Sequence, residues 1–373
     1  MFAASMCAVL VGVVLNDASG RGTSTPVITV KGIMASKNVF FDDEEVKRLL
    51  RAHDIQVEVT VRGSREVALE VIGQETEQYD FAFPSGQPAA DLIINDRRRK
   101  AAYHRAVGLF SSPIVFASYR EYARTLAAAG VAAPLDSGPE NSFHYVLDMD
   151  AFLELGEGGR TWNDIGIERY DIKNGNRVLA HTPGVCRSNS AATYLSLVAF
   201  VRNGGNPPQS EVEANLLAEQ LQPLITATGM PEAELFRSYL TPEGKSRGPV
   251  IVVYEHQYLA YQIDRKKVTG KLDADRVLLY PEHEFQTDPT YISLKQGPGD
   301  KLARLLEEDP LLRQRMMELG FRVYDEADES KQLFSYLGEV GVPKPVRTDA
   351  TRAFLPELDL LEVLINKAGR CAR

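Results

Sequence analysis

The sequence predicts an α/β protein of two lobes joined by crossing strands. Three observations carry this: short apolar runs alternate with amphipathic helical stretches, the 373-residue length suits two lobes, and one long apolar run has a proline at its centre. The composition agrees with a folded, globular chain. Hydrophobic residues make up 44% and charged residues 25%, values that exclude intrinsic disorder, collagen-like repeats and a polytopic membrane protein. The net charge of −9 argues against nucleic acid as a partner, which calls for a basic surplus.

The first element is Phe2 to Leu15, FAASMCAVLVGVVL, followed by the polar NDASGRGTSTP. Fourteen residues of helix reach about 21 Å, short of a bilayer core of about 30 Å. The length fits a signal-peptide core or a membrane anchor, although no Lys or Arg precedes it. Residues 1–24 are therefore expected to export or tether the chain, and the rest to lie outside the cytoplasmic membrane. Met6 before Cys7 departs from a lipoprotein cleavage site.

From Val27 the alternation begins. Val27 to Val30 reads as a buried strand. Asp42 and Asp43 offer N-caps, and Glu44 and Glu45 occupy the first turn, where the helix dipole favours anions. Val46, Leu49, Leu50 and His53 then fall on one helical face. Val57 to Val61 is the next strand, Ser64 opens a helix, Tyr79 to Phe83 is a third strand, and Pro84-Ser85-Gly86 turns into a helix near Gln87. Such a β-α-β-α-β-α start favours right-handed crossovers and a parallel sheet.

Ala106 to Ser118, with Pro113 inside it, is too interrupted for the centre of one sheet and reads as a strand crossing between lobes. Beyond it come a helix near Tyr119–Ala128, a strand near Arg177–Ala180, a helix from about Ser190 ending at Gly204-Gly205, and a strand at Val250–Tyr254. Arg276 to Tyr280 and Tyr291 to Leu294 read as strands returning to the first lobe. Leu312, Met316 and Leu319 mark a helix that Gly320 stops. The expected division is thus residues 25–115 and 276–342 for the first lobe and 116–275 for the second. The tail, 343–373, is expected to close as an amphipathic helix over Leu355–Ile365.

Several motifs fail on inspection. Gly244-Lys245-Ser246 resembles the end of a phosphate-binding loop, but Tyr239 stands where its first glycine belongs. The six histidines show no metal-ligand spacing. Cys7, Cys186 and Cys371 are too few and scattered for a disulfide framework or a zinc site. No cofactor is expected.

Functional residues are expected where strands run into helices. These loops are Gly32 to Lys37, with Ser36 and Lys37; Arg62-Gly63-Ser64-Arg65; Phe83-Pro84-Ser85-Gly86; His181-Thr182-Pro183 with Arg187-Ser188-Asn189-Ser190; and Tyr254-Glu255-His256-Gln257. In parallel α/β sheets such loops share the carboxyl edge, where ligands bind. Helix N-termini there offer free N–H groups, and serine hydroxyls donate and accept. Any one of these serines is ordinarily a helix cap; five such loops together point to a cleft. Lys37, Arg62, Arg65 and Arg187 give it a cationic character suited to an anion, whereas Glu255, facing inward, would suit a cationic or hydroxyl-bearing group. Trp162 is expected to pack in the core.

Taken in order, these segments resemble the extracellular solute-binding proteins of type II periplasmic-binding-protein fold, particularly actinobacterial substrate-binding domains, over about residues 25–324. The resemblance lies in Ile28-Thr29-Val30-Lys31-Gly32 with Phe40-Phe41-Asp42-Asp43, in Tyr79 to Gly86, in Ser111-Ser112-Pro113-Ile114-Val115, and in Ser188-Asn189-Ser190. It continues in Val253-Tyr254-Glu255 and in Leu311-Leu312-Arg313 running to Gly320-Phe321-Arg322-Val323. It implies two hinged lobes that close on a ligand. Carried over, Ser36, Ser64 and Ser85 would face the cleft from the first lobe, Ser188, Ser190 and Glu255 from the second, and Ser111 and Ser112 would sit near the crossing. A small polar or anionic ligand and a membrane permease or other membrane partner are implied. The long C-terminal tail departs from a typical transport receptor, and leaves as alternative a tethered interaction or signalling module on the same fold. Enzymes on this fold would need an acid/base pair, for which Glu255 with His256 or His181 are the candidates.

Overall fold

The computed structural model describes residues 26–73, 78–135, 141–230, 235–324, 331–345, 351–353 and 355–371. The apolar N-terminal stretch lies outside the described residues, and within them no helix is long and apolar enough to cross a membrane.

Two sheets organise the chain. In the first, Ile28–Met34 lies between Ile55–Val61 and Phe81–Phe83, all parallel, and Thr290–Ser293 runs antiparallel beside Phe81–Phe83 and against Arg105–Gly108. The helices Glu44–Ala52, Ser64–Gly73 and Gln87–Arg99 link or follow these parallel strands. Asp43 caps the first of them as expected, its carboxylate accepting the N–H groups of Glu45 and Val46 at 3.1 and 3.0 Å. Val30, Met34, Phe81 and Phe83 on one side of this sheet pack with Val46, Leu49 and Leu50, while Ile33 and Ala82 pack with Val67, Ala68 and Ile93 on the other.

The second sheet runs in the order Val250–Tyr254, Phe110–Tyr119, Arg276–Pro281, His144–Leu147, Ala132–Pro134. Its core takes in Phe116, Tyr122, Tyr145 and Trp162, the last wholly buried and edge-on to Tyr122 at 4.9 Å.

The crossing differs in detail from the sequence expectation. The apolar run over 106–118 divides at Leu109 into Arg105–Gly108, in the first sheet, and Phe110–Tyr119. The latter is buried along its whole length. Its first residues pair with Arg322–Val323 and, at Ser112 and Pro113, with Gln286–Thr287, whereas Ile114 to Tyr119 pair with Val250–Tyr254 on one side and Arg276–Pro281 on the other. Pro113 therefore falls where the strand changes partners, a place that tolerates a missing N–H.

Two further expectations are corrected. Arg276–Pro281 belongs to the second sheet, pairing with Phe110–Tyr119 and His144–Leu147; the chain returns to the first sheet only at Thr290–Ser293. Its apolar residues satisfied both placements, so periodicity alone did not distinguish them. The stretch Arg177–Ala180 is not a strand: it makes one isolated bridge, Arg177 to Thr161, and the next, His181 to Ile251, lies just beyond it.

The tail forms the helix Leu358–Ala368, which packs along Glu211–Thr228 and buries Leu361, Leu364, Ile365 and Ala368. Its end is held by a disulfide between Cys371 and Cys186. The two cysteines stand 185 residues apart, a pairing that sequence spacing does not reveal.

Candidate functional site

Between the sheets opens a cleft of about 1030 Å³. Ala35, Asn38, Val39 and the loop Val61 to Ser64 line one side, and Pro183, Gly184, Arg187 to Ser190, Phe236, Arg237, Tyr254, His256 and Gln257 line the other. The walls approach closely. A Cβ added at Gly63 would lie 2.8 Å from the Arg187 carbonyl, and one at Gly86 2.8 Å from Asn189 Oδ1. At Gly63 the neighbour is backbone, so a side chain there would force the walls apart; at Gly86 it is the end of the Asn189 side chain.

Strand ends and helix starts position the lining. Ser64 begins Ser64–Gly73, and its Oγ accepts the Ser85 N–H at 2.9 Å, drawing two loops of the first lobe together. Opposite them, Ser188 caps Asn189–Arg202, accepting the Ala191 N–H at 3.3 Å, and its hydroxyl meets that of Ser190 at 2.9 Å. Asn189 donates through Nδ2 to the Tyr254 hydroxyl at 2.8 Å. Three of the lining residues are arginines, Arg62, Arg187 and Arg237, against one carboxylate, Glu66, which accepts the Gly63 N–H at 2.8 Å.

Lys37 lies in the 3-10 turn Ser36–Asn38 that follows the central strand. It is 0% exposed, and its Nζ rests 2.9 Å from the centroid of the Tyr254 ring. Nζ has no hydrogen-bond acceptor among the described residues. Burial pushes its pKa well below the ordinary lysine value. His256, also buried, has its pKa pushed down by burial and then by the nearby Lys37; its Nδ1 meets Ser112 Oγ at 3.0 Å, and its ring stacks on Phe321 at 4.1 Å.

Of the residues expected from the sequence, Ser64, Ser188, Asn189 and Ser190 line the cleft together. Lys37 lies against Tyr254, a lining residue, and buried Ser85 is tied to Ser64. Ser36 begins the turn that carries Lys37; its side chain lies outside what the structure describes. The others are placed elsewhere. Arg65 turns to the tail helix, pairing with Glu362 and donating to Asn366 at 3.3 Å. Ser111 accepts from Gln286 at 2.6 Å, Ser112 accepts the His256 N–H at 3.1 Å, and Thr182 is buried in a short strand beside Gly229. Glu255 is fully buried: Arg322 donates to its carboxylate at 2.7 and 2.8 Å, and Tyr280 at 2.7 Å. With its carboxylate so engaged, Glu255 does not form the acid/base pair with His256 that an enzyme on this fold would require.

Sequence reasoning passed over Tyr254, Gln257 and Arg237 and weighed His256 only as an acid/base partner of Glu255. Tyr254, His256 and Gln257 lay in a loop it had marked, where the conspicuous charge of Glu255 drew the choice to the one side chain that turns away. Among the described residues, no group of three or more His, Cys, Asp and Glu is placed to hold a metal.

No protein-family model matches the chain, and no curated protein matches it. Solved structures do. The substrate binding protein of an ABC transporter from Agrobacterium tumefaciens superposes with a TM-score of 0.54 at 11% identity, covering 94% of this chain and 96% of that one. The sulfate-binding protein SubI from Mycobacterium tuberculosis H37Rv gives 0.50 at 13%, covering 89% and 96%. Iron-bound HitA from Pseudomonas aeruginosa gives 0.50 at 12%, covering 92% and 99%. The fold is that of the type II periplasmic and extracellular solute-binding proteins.

Proposed function

We propose that this chain, built on the fold of the extracellular solute-binding proteins, captures a small polar, anionic solute between its lobes outside the cytoplasmic membrane. The cleft is the observation that carries the reading. It is lined from both lobes, its volume suits a small organic molecule, and its lining carries three arginines and a single carboxylate. Helix starts at Ser64 and Asn189 border the same space, where helix dipoles favour negative charge. The disulfide supports the compartment, since such bonds persist where the surroundings are oxidising. The apolar stretch Phe2–Leu15 supports export or tethering, and a membrane permease is the natural partner of such a receptor.

The alternative of a tethered interaction module rested on the N-terminal apolar segment and on the tail. The apolar face of the tail helix is buried against the second lobe, which favours a closing role over a docking one.

The test is a panel of sulfate, phosphate, organic phosphates, carboxylates, amino acids and sugars at millimolar concentration, read by melting temperature and X-ray scattering. A ligand at a hundred times its Kd stabilises the folded state by about 2.7 kcal/mol, so one class should raise the melting temperature and alter the scattering radius. Gly63→Ala, which crowds the Arg187 carbonyl across the cleft, should hold the walls apart and weaken that ligand. A panel that moves neither quantity refutes the reading.

A further inference from the structure

We propose that the solute carries an oxyanion group and that Lys37 is the residue that recognises its charge. This rests on the cleft being a solute site and names what the site selects.

The protein leaves one buried amine unanswered. Lys37 Nζ is wholly buried where Tyr254, from the opposite lobe, covers it, and it has no hydrogen-bond acceptor among the described residues. Burial by itself favours the neutral amine; the ammonium form is retained there only when something pairs with it, and an aromatic face answers only part of that demand. The surrounding groups do not supply the rest. His256 is kept neutral by burial and by Lys37 itself. Glu255, next in sequence to Tyr254, is committed to Arg322 and Tyr280, and Asp42 accepts from Asn38 Nδ2 at 2.6 Å.

The missing partner is thus an anion with oxygen acceptors, admitted while the lobes stand apart. Around the same opening lie hydroxyls of Ser64, Ser188 and Ser190 and the side chains of Arg62 and Arg187, donors for the remaining oxygens. A cationic or zwitterionic solute would bring an ammonium toward this lysine and these arginines with only Glu66 to receive it. The cleft volume leaves room for an organic body beyond the oxyanion itself. Inorganic sulfate or phosphate and an organic phosphate share the recognised chemistry, and the experiment separates them.

Titration calorimetry on the full chain would compare sodium sulfate, inorganic phosphate, a sugar phosphate, the same sugar without phosphate, and a neutral amino acid. The expected result is binding by one or more oxyanions and none by the bare sugar. Lys37→Met should weaken that binding about ten- to hundredfold, the range for losing a hydrogen bond to a charged group. The same variant should melt, ligand-free, at or above the wild-type temperature, because an unpaired buried amine has gone. A structural role for Lys37 would lower that temperature. Should Lys37→Met fold poorly, Lys37→Gln, which keeps a donor but no charge, should show the same loss of oxyanion affinity.

Wild-type affinity in both variants overturns the proposal, as does tight binding of a neutral or cationic solute; in either case a solute still binds and the cleft reading survives. Failure of every solute overturns the cleft reading and this inference with it.

Discussion

Arg322→Met offers the most searching test of how the lobes are joined. Arg322 lies in the short strand Arg322–Val323, paired with Ser111 and Phe110 at the start of the crossing strand. Its guanidinium donates to Glu255, at the start of the second-lobe helix Glu255–Thr269, and to Glu284 at 2.8 Å. Burial works against its charge, but Glu255 and Glu284 outweigh this and hold it firmly protonated. Removing the arginine leaves two carboxylates in a buried site, Glu255 at 0% and Glu284 at 8% exposure. Breaking a buried pair in this way costs about 3–5 kcal/mol, and the upper half of that range is expected because two acids are orphaned together. Adding Glu255→Gln should recover part of the loss, with a coupling energy of at least about 2 kcal/mol. Urea denaturation of wild type, both single variants and the double variant completes the cycle. An Arg322→Met loss below about 1 kcal/mol, or no recovery in the double variant, would refute the clasp. Glu255→Gln alone should leave solute affinity near wild type, since its carboxylate faces the crossing and not the cleft.

Two further outcomes follow from the same geometry. Cys371→Ser opens a loop of 185 residues, for which chain entropy gives about 5 kcal/mol; a loss of about 2–5 kcal/mol is expected, and reductant should lower the wild-type melting temperature toward that of the variant while leaving the variant unmoved. Asp43 has its pKa lowered: burial opposes this, but the Arg315 pair at 2.6 Å and the capped N–H groups prevail. A carboxyl with a lowered folded pKa stabilises fully above its unfolded value near 3.9 and loses that contribution as pH falls through the folded value. Asp43→Asn, which keeps a good cap, should therefore be less stable than wild type at pH 6, by about 1 kcal/mol, and the difference should narrow as pH falls below the unfolded value in acid-denaturation curves.

Much of the fold was legible because it is written in local pattern. Asp43 before Glu44 and Glu45, Ser64 opening a helix and Val250–Tyr254 as a strand each depend on neighbours in sequence, through capping, dipole and periodicity. The serine loops were legible for the same reason, and Ser64, Ser188, Asn189 and Ser190 do line one cleft. Which way a side chain turns is another matter. Glu255 and Tyr254 are adjacent at one helix start, yet Tyr254 faces the cleft and covers Lys37 while Glu255 faces Arg322, sixty-seven residues on. Arg65 and Ser64 part in the same way, one to the tail helix and one to the cleft.

Sequence alone settled that strands and helices alternate, where several of them begin, among them Glu44–Ala52, Ser64–Gly73, Gln87–Arg99 and Val250–Tyr254, and which loops carry hydroxyls and positive charge, because these follow from interactions within a few residues. The tertiary structure decided which sheet receives Arg276–Pro281, which cysteines join, which carboxylate is consumed by an arginine and which lysine is buried without an acceptor. Each of those depends on burial and charge pairing between segments tens to hundreds of residues apart, and such pairings exist only once the lobes have packed.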